Sequence, residues 1–219
     1  MKKRHIILLI GLIIIADQAL KIYIKTNYHP GESRPVLGNW FRMYFIENEG
    51  MAYGWKLGSG GIGKLALTLF RLGAVIFGVF YLRKIIDKKF HPGYIICVAL
   101  VFAGALGDLI DSLFYGLIFD KSSFVTNEIS GIFTGHGYGS FLHGNVVDMI
   151  YLPMIDIQKL PHWIPFFGGK EFSFFNYIFN IADASVSTGV IAIILFRKRF
   201  FKNDAKKNDH ENELPLANN

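Results

Sequence analysis

Residues 172–196 read FSFFNYIFNIADASVSTGVIAIILF, an apolar run that is long enough to cross a bilayer and that holds one carboxylate, Asp183. A charge at the bilayer centre costs at least ~2.5 kcal/mol, so this acid needs a partner, hydration or a bound proton. For an isolated acid, a role in helix packing or trafficking would be an equally good explanation. Asp183 is not isolated, because other spans carry acids at a comparable depth.

The composition indicates a membrane protein. Of the 219 residues, 52% are hydrophobic and 16% are aromatic, and a single cysteine, Cys97, lies in a hydrophobic segment. One cysteine excludes a disulfide framework or a cysteine metal cluster within the chain. The net charge of +6 could indicate nucleic acid or anionic lipid as a partner. Lys and Arg gather at the ends of apolar runs, which favours membrane lipids and no nucleic acid.

The hydropathy pattern predicts one integral membrane domain over residues 1–200 and a polar cytoplasmic tail over 201–219. Four spans are expected, at about 6–24, 62–82, 93–119 and 173–196. The first resembles a signal peptide, but no cleavage pattern follows it, so we expect it to stay uncleaved. Polar segments occupy 26–61 and 120–171, and the β-prone aromatic stretch at 40–46 predicts a small sheet.

Charge gives the topology. The basic clusters at 2–5, 83–89 and 197–207 all fall on one side of a protein with four spans. The positive-inside rule then predicts that both termini are cytoplasmic and that both long polar segments face outward.

Acids from three spans are expected in the outer half of the membrane. At ~1.5 Å per residue, Asp17, Asp111 and Asp183 lie roughly 10 to 14 Å from the outer ends of their spans. The second polar segment adds Asp120, Asp148 and Asp156. Like charges held close together cannot all be ionised, so one acid would keep its proton while another acts as a base. The pattern predicts a hydrolytic pair of aspartates.

Other chemistries have weaker support. His136, His143 and Asp148 could bind a metal, but their spacing matches no common site, and H-E-x-x-H is missing. There is no G-x-S-x-G elbow, and Cys97 has no polar neighbours that would activate it. The alternative function is a proton or ion carrier that uses intramembrane carboxylates, although transport would not obviously need two large outward segments.

Four short motifs occur in order along the chain: DQALK at 17–21, NEGMAY at 48–53, GALGDLID at 104–111 and FNIAD at 179–183. They resemble D-Q-x-x-K, N-x-G-x-A-F, G-x-x-G-N-x-x-D and F-N-x-A-D of the lipoprotein signal peptidases, the bacterial signal peptidases of the second type. With this resemblance, the expected fold is a membrane all-α protein with four transmembrane helices, a small extracytoplasmic β-cradle and a long second extracytoplasmic loop.

The resemblance also implies an activity. It is an aspartyl endopeptidase that needs no metal or organic cofactor and that cleaves diacylglyceryl-modified prolipoproteins just before the lipidated cysteine. The expected partners are this substrate and membrane lipids. We expect a monomer in the bacterial cytoplasmic membrane, with its active site toward the outer leaflet.

The resemblance assigns Asp183 to the catalytic pair and seeks the second acid in a V-V-D-F context. Asp148, in VVDM at 146–149, keeps that context, whereas Asp120 keeps the ungapped spacing from Asp111. We predict Asp148, so the segment 121–144 is interpreted as an insertion. The residues predicted to support the pair or bind substrate are Asp17, Lys21, Asn48, Gly50, Asp108, Asp111, Asn145 and Asn180.

Two positions depart from the family pattern. Asp108 stands where the family has Asn, and Ser112 stands where it has Arg. Arg71, in the middle of the second span, is a candidate to replace that arginine, because an intramembrane Arg needs a carboxylate partner or must reach the interface.

Overall fold

The computed structural model describes residues 3–48, 61–122, 128–153, 155–157, 172–174 and 177–201. Three of its helices are long and apolar enough to cross a membrane: α1 (Lys3–Asn27), α2 (Ile62–Asp87) and α3 (Pro92–Ile118). They coincide with the first three predicted spans to within a few residues. Gly50 and the Asp156 side chain lie outside the described residues.

A small antiparallel sheet lies at one end of the helices. Its strand order is β1 (Ser33–Leu37), β2 (Phe41–Asn48), β3 (Val146–Tyr151) and β6 (Ile178–Phe179). A separate pair is formed by β4 (Ile155–Ile157) and β5 (Phe172–Phe174). The predicted sheet is therefore present, and its strands come from both polar segments and from the start of the last apolar run.

The last apolar run is not helical throughout. Its helix, α4, covers only Ile181–Leu195 and is followed by the short α5 (Arg197–Phe200), so the predicted span of 173–196 is corrected at its N-terminal end. The residues of β5 and β6, which precede Asn180, are largely aromatic and β-prone, which favours strands. Asn180 is extended, at φ −118° and ψ 179°, and caps the helix in a reciprocal capping box with Asp183.

Helix α3 is the centre of the bundle, and α4 packs closely against it. A Cβ atom on Gly104 would lie 2.3 Å from the backbone oxygen of Ala182, and one on Gly189 would lie 2.6 Å from that of Cys97. The absence of a side chain therefore sets the distance between the two helices. This contact holds the first turn of α4 beside the acids of α3.

Candidate active site

One buried lysine binds three carboxylates. The Nζ atom of Lys21 lies 2.9 Å from Asp17, 3.0 Å from Asp108 and 2.8 Å from Asp111. Asp17 and Lys21 are one turn apart on α1, while Asp108 and Asp111 are three residues apart on α3, so each pair lies on one helix face. The structure thus brings together four residues that the sequence analysis took from two separate motifs.

Gln18 is hydrogen-bonded to this group. Its Nε2 atom donates to Asp111 Oδ1 at 2.8 Å and to Asp17 Oδ2 at 3.2 Å, and its Oε1 atom accepts from the Tyr115 hydroxyl at 3.1 Å. The predicted site residues did not include Gln18. The signal was present, because Gln18 lies inside the DQALK motif.

The group continues into α4 and the sheet. Asp17 Oδ1 accepts a hydrogen bond of 2.9 Å from the backbone N–H of Ala182 in the first turn of α4. Asp111 Oδ2 accepts one of 3.4 Å from the backbone N–H of Val147 on β3. The lysine-centred acids therefore position the two elements that carry Asp183 and Asp148.

Asp148 is buried on β3 between two amide side chains. Asn180 Nδ2 donates to its Oδ1 at 2.8 Å, and Asn48 Nδ2 donates to its Oδ2 at 3.2 Å. Burial, and after it the nearby carboxylates of Asp183 and Asp108, raise the pKa of Asp148 to about 8, while the Asn48 hydrogen bond acts in the opposite direction. The environment of Asp148 thus favours its protonated form.

Asp183 lies in the first turn of α4, where the helix dipole favours a negative charge. Its Oδ2 atom accepts a hydrogen bond of 3.4 Å from the backbone N–H of Asn180, and its own N–H donates to the Asn180 side chain at 2.8 Å. Asn180 is therefore bonded to Asp148 and to Asp183. The two acids therefore share one amide side chain, with Asp148 on the sheet and Asp183 at the start of α4.

Asp120, the competing candidate by spacing, lies at the base of the insertion. The hydroxyl of Thr134 donates to its carboxylate, and its backbone N–H donates to Gly131 O at 3.1 Å. These contacts tie the two ends of a surface turn together.

Asn145 belongs to a second polar group, centred on Lys25. Its side chain donates to Glu47 at 2.9 Å and accepts from Lys64, and Glu47 in turn binds Lys25. Lys25 is fully buried, and its Nζ atom lies 5.0 to 5.8 Å from the centroids of three rings, those of Phe45, Phe119 and Tyr138. Lys25 was not predicted, although it follows Lys21 by one helical turn.

Arg71 reaches the two positions that depart from the family pattern. Its NH1 group donates to the Ser112 hydroxyl at 2.9 Å, and its NH2 atom lies 4.0 Å from Asp108 Oδ2. Arg71 of α2 thus places a guanidinium beside both positions.

The metal alternative finds no support in the part of the chain that the structure describes, where no group of three or more His, Cys, Asp or Glu could hold a metal ion. His143 binds the Ser140 hydroxyl and the Phe141 carbonyl through Nδ1, each at 3.0 Å.

Apolar helices, a small sheet and a buried cluster of carboxylates are the features expected of a membrane-embedded aspartic peptidase. Comparison with known proteins gives the same answer. The family model of signal peptidase (SPase) II matches residues 9–198, and this chain belongs to that family. The resemblance drawn from the four motifs is thereby confirmed.

Two relatives show how far the similarity extends. The lipoprotein signal peptidase of Porphyromonas gingivalis is 43% identical over 189 residues, which cover 85% of this chain and 80% of the relative. That of Amoebophilus asiaticus is 28% identical over 199 residues, covering 90% and 78%. The known function of the family is to remove signal peptides from prolipoproteins, so the prediction of an aspartic peptidase is confirmed and the carrier is set aside.

Solved structures have the same fold. A bacterial membrane enzyme determined by the in meso method at 2.3 Å resolution is 24% identical, with a TM-score of 0.56 and coverage of 99% of this chain and 96% of that one. A second, at 1.9 Å resolution, is 26% identical, with a TM-score of 0.55 and coverage of 88% and 92%.

Proposed function

We propose that this chain cleaves diacylglyceryl-modified prolipoproteins just before the lipidated cysteine, with Asp148 and Asp183 as its catalytic pair. The observation that carries the proposal is the position of Asn180, which bonds both acids inside a buried polar group between apolar helices. Family membership supports the substrate class, and the bonding of Asp120 within the insertion supports Asp148 as the partner of Asp183.

The environments of the two acids suggest how they divide the chemistry. Asp183, at a helix N-terminus, is the ionised base that draws a proton from the attacking water. Asp148, whose pKa is raised to about 8, is the acid that protonates the carbonyl oxygen of the scissile bond. As the C–N bond of the resulting gem-diol breaks, Asp183 gives its proton to the leaving nitrogen and Asp148 regains its proton from a gem-diol hydroxyl. The hydrolysis needs no group beyond these carboxyls and water.

The other acids have a positioning role in this proposal. Lys21 offsets part of the negative charge of Asp17, Asp108 and Asp111. Asp17 and Asp111 in turn hold the backbone N–H groups of Ala182 and Val147. Arg71 adds a second positive group beside Asp108, which compensates for the acid at a position where the family has an amide.

We assign α4 as a fourth transmembrane helix. Its 15 residues span only ~22 Å, against ~30 Å of hydrocarbon. If its inner end lies at the membrane surface, as the basic residues Arg197, Lys198 and Arg199 favour, its first turn begins ~8 Å below the outer boundary. Asp183 then lies within the outer leaflet, at the depth where a lipid-anchored substrate presents its cleavage site.

The same charge pattern orients the chain. Both termini face the cytoplasm and the sheet faces outward, in the bacterial cytoplasmic membrane. A monomer surrounded by membrane lipids is sufficient, because one chain carries both acids.

We expect purified protein to cleave a diacylglyceryl-modified prolipoprotein at the bond before the modified cysteine and to leave its unmodified counterpart intact. The difference arises because an acyl-anchored substrate is held at the depth of the acids. Electrophoresis and mass spectrometry of the products measure the cleavage and its position. Equal cleavage of both substrates would contradict the lipid requirement. No cleavage of either, with proton flux across liposomes, would restore the carrier.

The rate of cleavage should fall as the pH rises through about 8. The sign follows from the pKa of Asp148: the pair works with one proton, and above about 8 Asp148 loses it. Above pH 8, kcat/KM should fall with a slope that approaches tenfold per pH unit.

Asn48→Ala removes a hydrogen bond that favours the ionised form of Asp148, so the descending limb of the pH profile should move to higher pH, by up to about one unit. A limb that stays in place would contradict the role of Asp148.

A further inference from the structure

The end of the insertion does not extend away from the helices but runs back along α3. Its backbone N–H groups donate to α3 carbonyls in descending order: Gly139 to Gly116 at 2.9 Å, Leu142 to Leu113 at 3.4 Å and Gly144 to Ser112 at 2.9 Å. Glycine permits this approach, because a Cβ atom on Gly144 would lie 2.0 Å from the Asp111 oxygen.

A contact with helix α2 independently shows how far this segment lies below the ends of the helices. The hydroxyl of Thr68 donates to the carbonyl of Leu142 at 3.0 Å. Thr68 lies six residues from the start of α2 at Ile62, and Ser112 lies six residues before the end of α3 at Ile118. Both counts place the lowest part of the segment about 9 Å below the outer ends of the helices.

The segment reaches further below the helix ends than the length of α3 that can project from the hydrocarbon core. Its 27 residues span ~40 Å, so a centred helix leaves ~5 Å outside a ~30 Å core at each end. The contacts with Leu142 and Gly144 then lie ~4 Å inside the hydrocarbon.

Irregular backbone is tolerated at that depth only where its polar groups have partners. Besides the bonds to α3 and Thr68, His143 N–H donates to Ser140 O at 3.1 Å, and Asn145 N–H donates to the Tyr138 hydroxyl at 2.5 Å. The N–H groups of Gly139, Leu142, His143 and Gly144 are therefore paired within the protein, as a non-helical chain packed against helices below the membrane surface requires.

The outward side of the segment is apolar and continues the lipid-facing side of α3. Phe141 is 50% exposed, and its ring centroid lies 5.9 Å from that of Phe114, which is itself 41% exposed on α3. Leu117, one turn further on α3, is also exposed. Exposed apolar side chains on a helix that crosses a membrane face lipid, and Phe141 lies in the same surface.

We propose that residues 138–144 form a re-entrant segment in the outer leaflet and that Phe141 contacts the acyl chains of membrane lipids. The chain thereby enters β3, the strand of Asp148, from within the membrane. This inference rests on the membrane placement of α2 and α3 and is independent of which acids are catalytic. His136 lies on the exposed turn before the segment and should remain in water.

Spin labels placed at single cysteines in the full chain, reconstituted in phosphatidylglycerol and phosphatidylethanolamine vesicles, test the depth. The variants are Phe141→Cys and, as the matched control on the same insertion, His136→Cys, both in a Cys97→Ser background. At position 141 the label should collide at least several-fold more with oxygen than with a water-soluble nickel chelate, and at position 136 the ratio should reverse. Cleavage activity and thermal unfolding of each labelled protein verify that it is folded.

Two outcomes would overturn the proposal. Equal nickel accessibility at both positions would place the segment in water. A label at position 141 that neither oxygen nor nickel reaches would mean that protein, such as a second copy of the chain, covers the surface. Loss of prolipoprotein cleavage in the unlabelled wild type would bear on the proposed function and leave the measured depths unaffected.

Discussion

Replacing Asp148 by Asn is expected to lower the rate of prolipoprotein cleavage by about 10³-fold, and Asp183→Asn should have a comparable effect. Each change removes a proton donor or acceptor while keeping the shape of the side chain. Asp148 accepts one hydrogen bond at each oxygen, from Asn180 and from Asn48. The amide oxygen of the variant can keep the bond from Asn180, and Asn48 can turn its amide so that its oxygen faces the new NH₂ group. The loss should therefore appear in kcat, with the protein folded, and single-turnover cleavage measures it.

Asp120→Asn is the matched control, because spacing alone would make Asp120 the partner of Asp183. Its carboxylate binds Thr134 in a surface turn, so this variant should keep its activity to within about threefold.

Thermal unfolding in detergent supplies a second readout for Asp148→Asn. Burial disfavours the ionised form of Asp148, so Asp148→Asn should unfold at the same temperature as wild type or higher. Activity in Asp148→Asn together with inactivity in Asp120→Asn would reverse the assignment.

Lys21→Met should prevent the protein from reaching its folded state. The substitution leaves Asp17, Asp108 and Asp111 buried without their shared cation, and breaking one buried ion pair costs about 3–5 kcal/mol. Three carboxylates are affected here, and a whole domain has a stability of only about 5–15 kcal/mol. We expect little or no monodisperse protein in size-exclusion chromatography of detergent extracts.

Lys3→Met is the control from the same helix. Lys3 pairs with Asp87 at 2.7 Å, but these side chains are 66% and 61% exposed, so the loss should stay below about 1 kcal/mol. Asp108→Asn added to Lys21→Met removes one of the buried acids and should restore part of the folded yield. If Lys21→Met were as stable as wild type, the acids would have to share protons among themselves instead of depending on the lysine.

Hydropathy and charge were sufficient for the three long helices, because a run of more than 18 apolar residues has few alternatives to crossing a membrane. They were insufficient for the N-terminal part of the last apolar run, where strands precede α4. Phe, Tyr and Ile are compatible with a strand and with a transmembrane helix, so hydropathy could not distinguish the two before Asn180. The boundary was nevertheless encoded, since Asn180 and Asp183 have the spacing of a capping box.

The candidate site could be predicted in part, where local sequence patterns determine which residues lie close together. Residues within one motif, such as Asp17 and Lys21, share a helix face, and their proximity follows from a 3.6-residue period. The partnership of Arg71 with Ser112 joins two helices whose relative rotation no local pattern specifies. The same holds for Lys25, whose partner Glu47 is reached only after the strands have formed.

Lys21 also bears on how the protein is made. When α1 leaves the translocon, Asp17 is the only one of the three acids that can already accompany the lysine, because Asp108 follows 87 positions later. Until α3 is synthesised, this helix carries a charged pair in lipid with two of its three ion pairs missing. We therefore expect the nascent chain to keep α1 loosely held, near the translocon or the membrane surface, and to complete its packing only when α3 arrives.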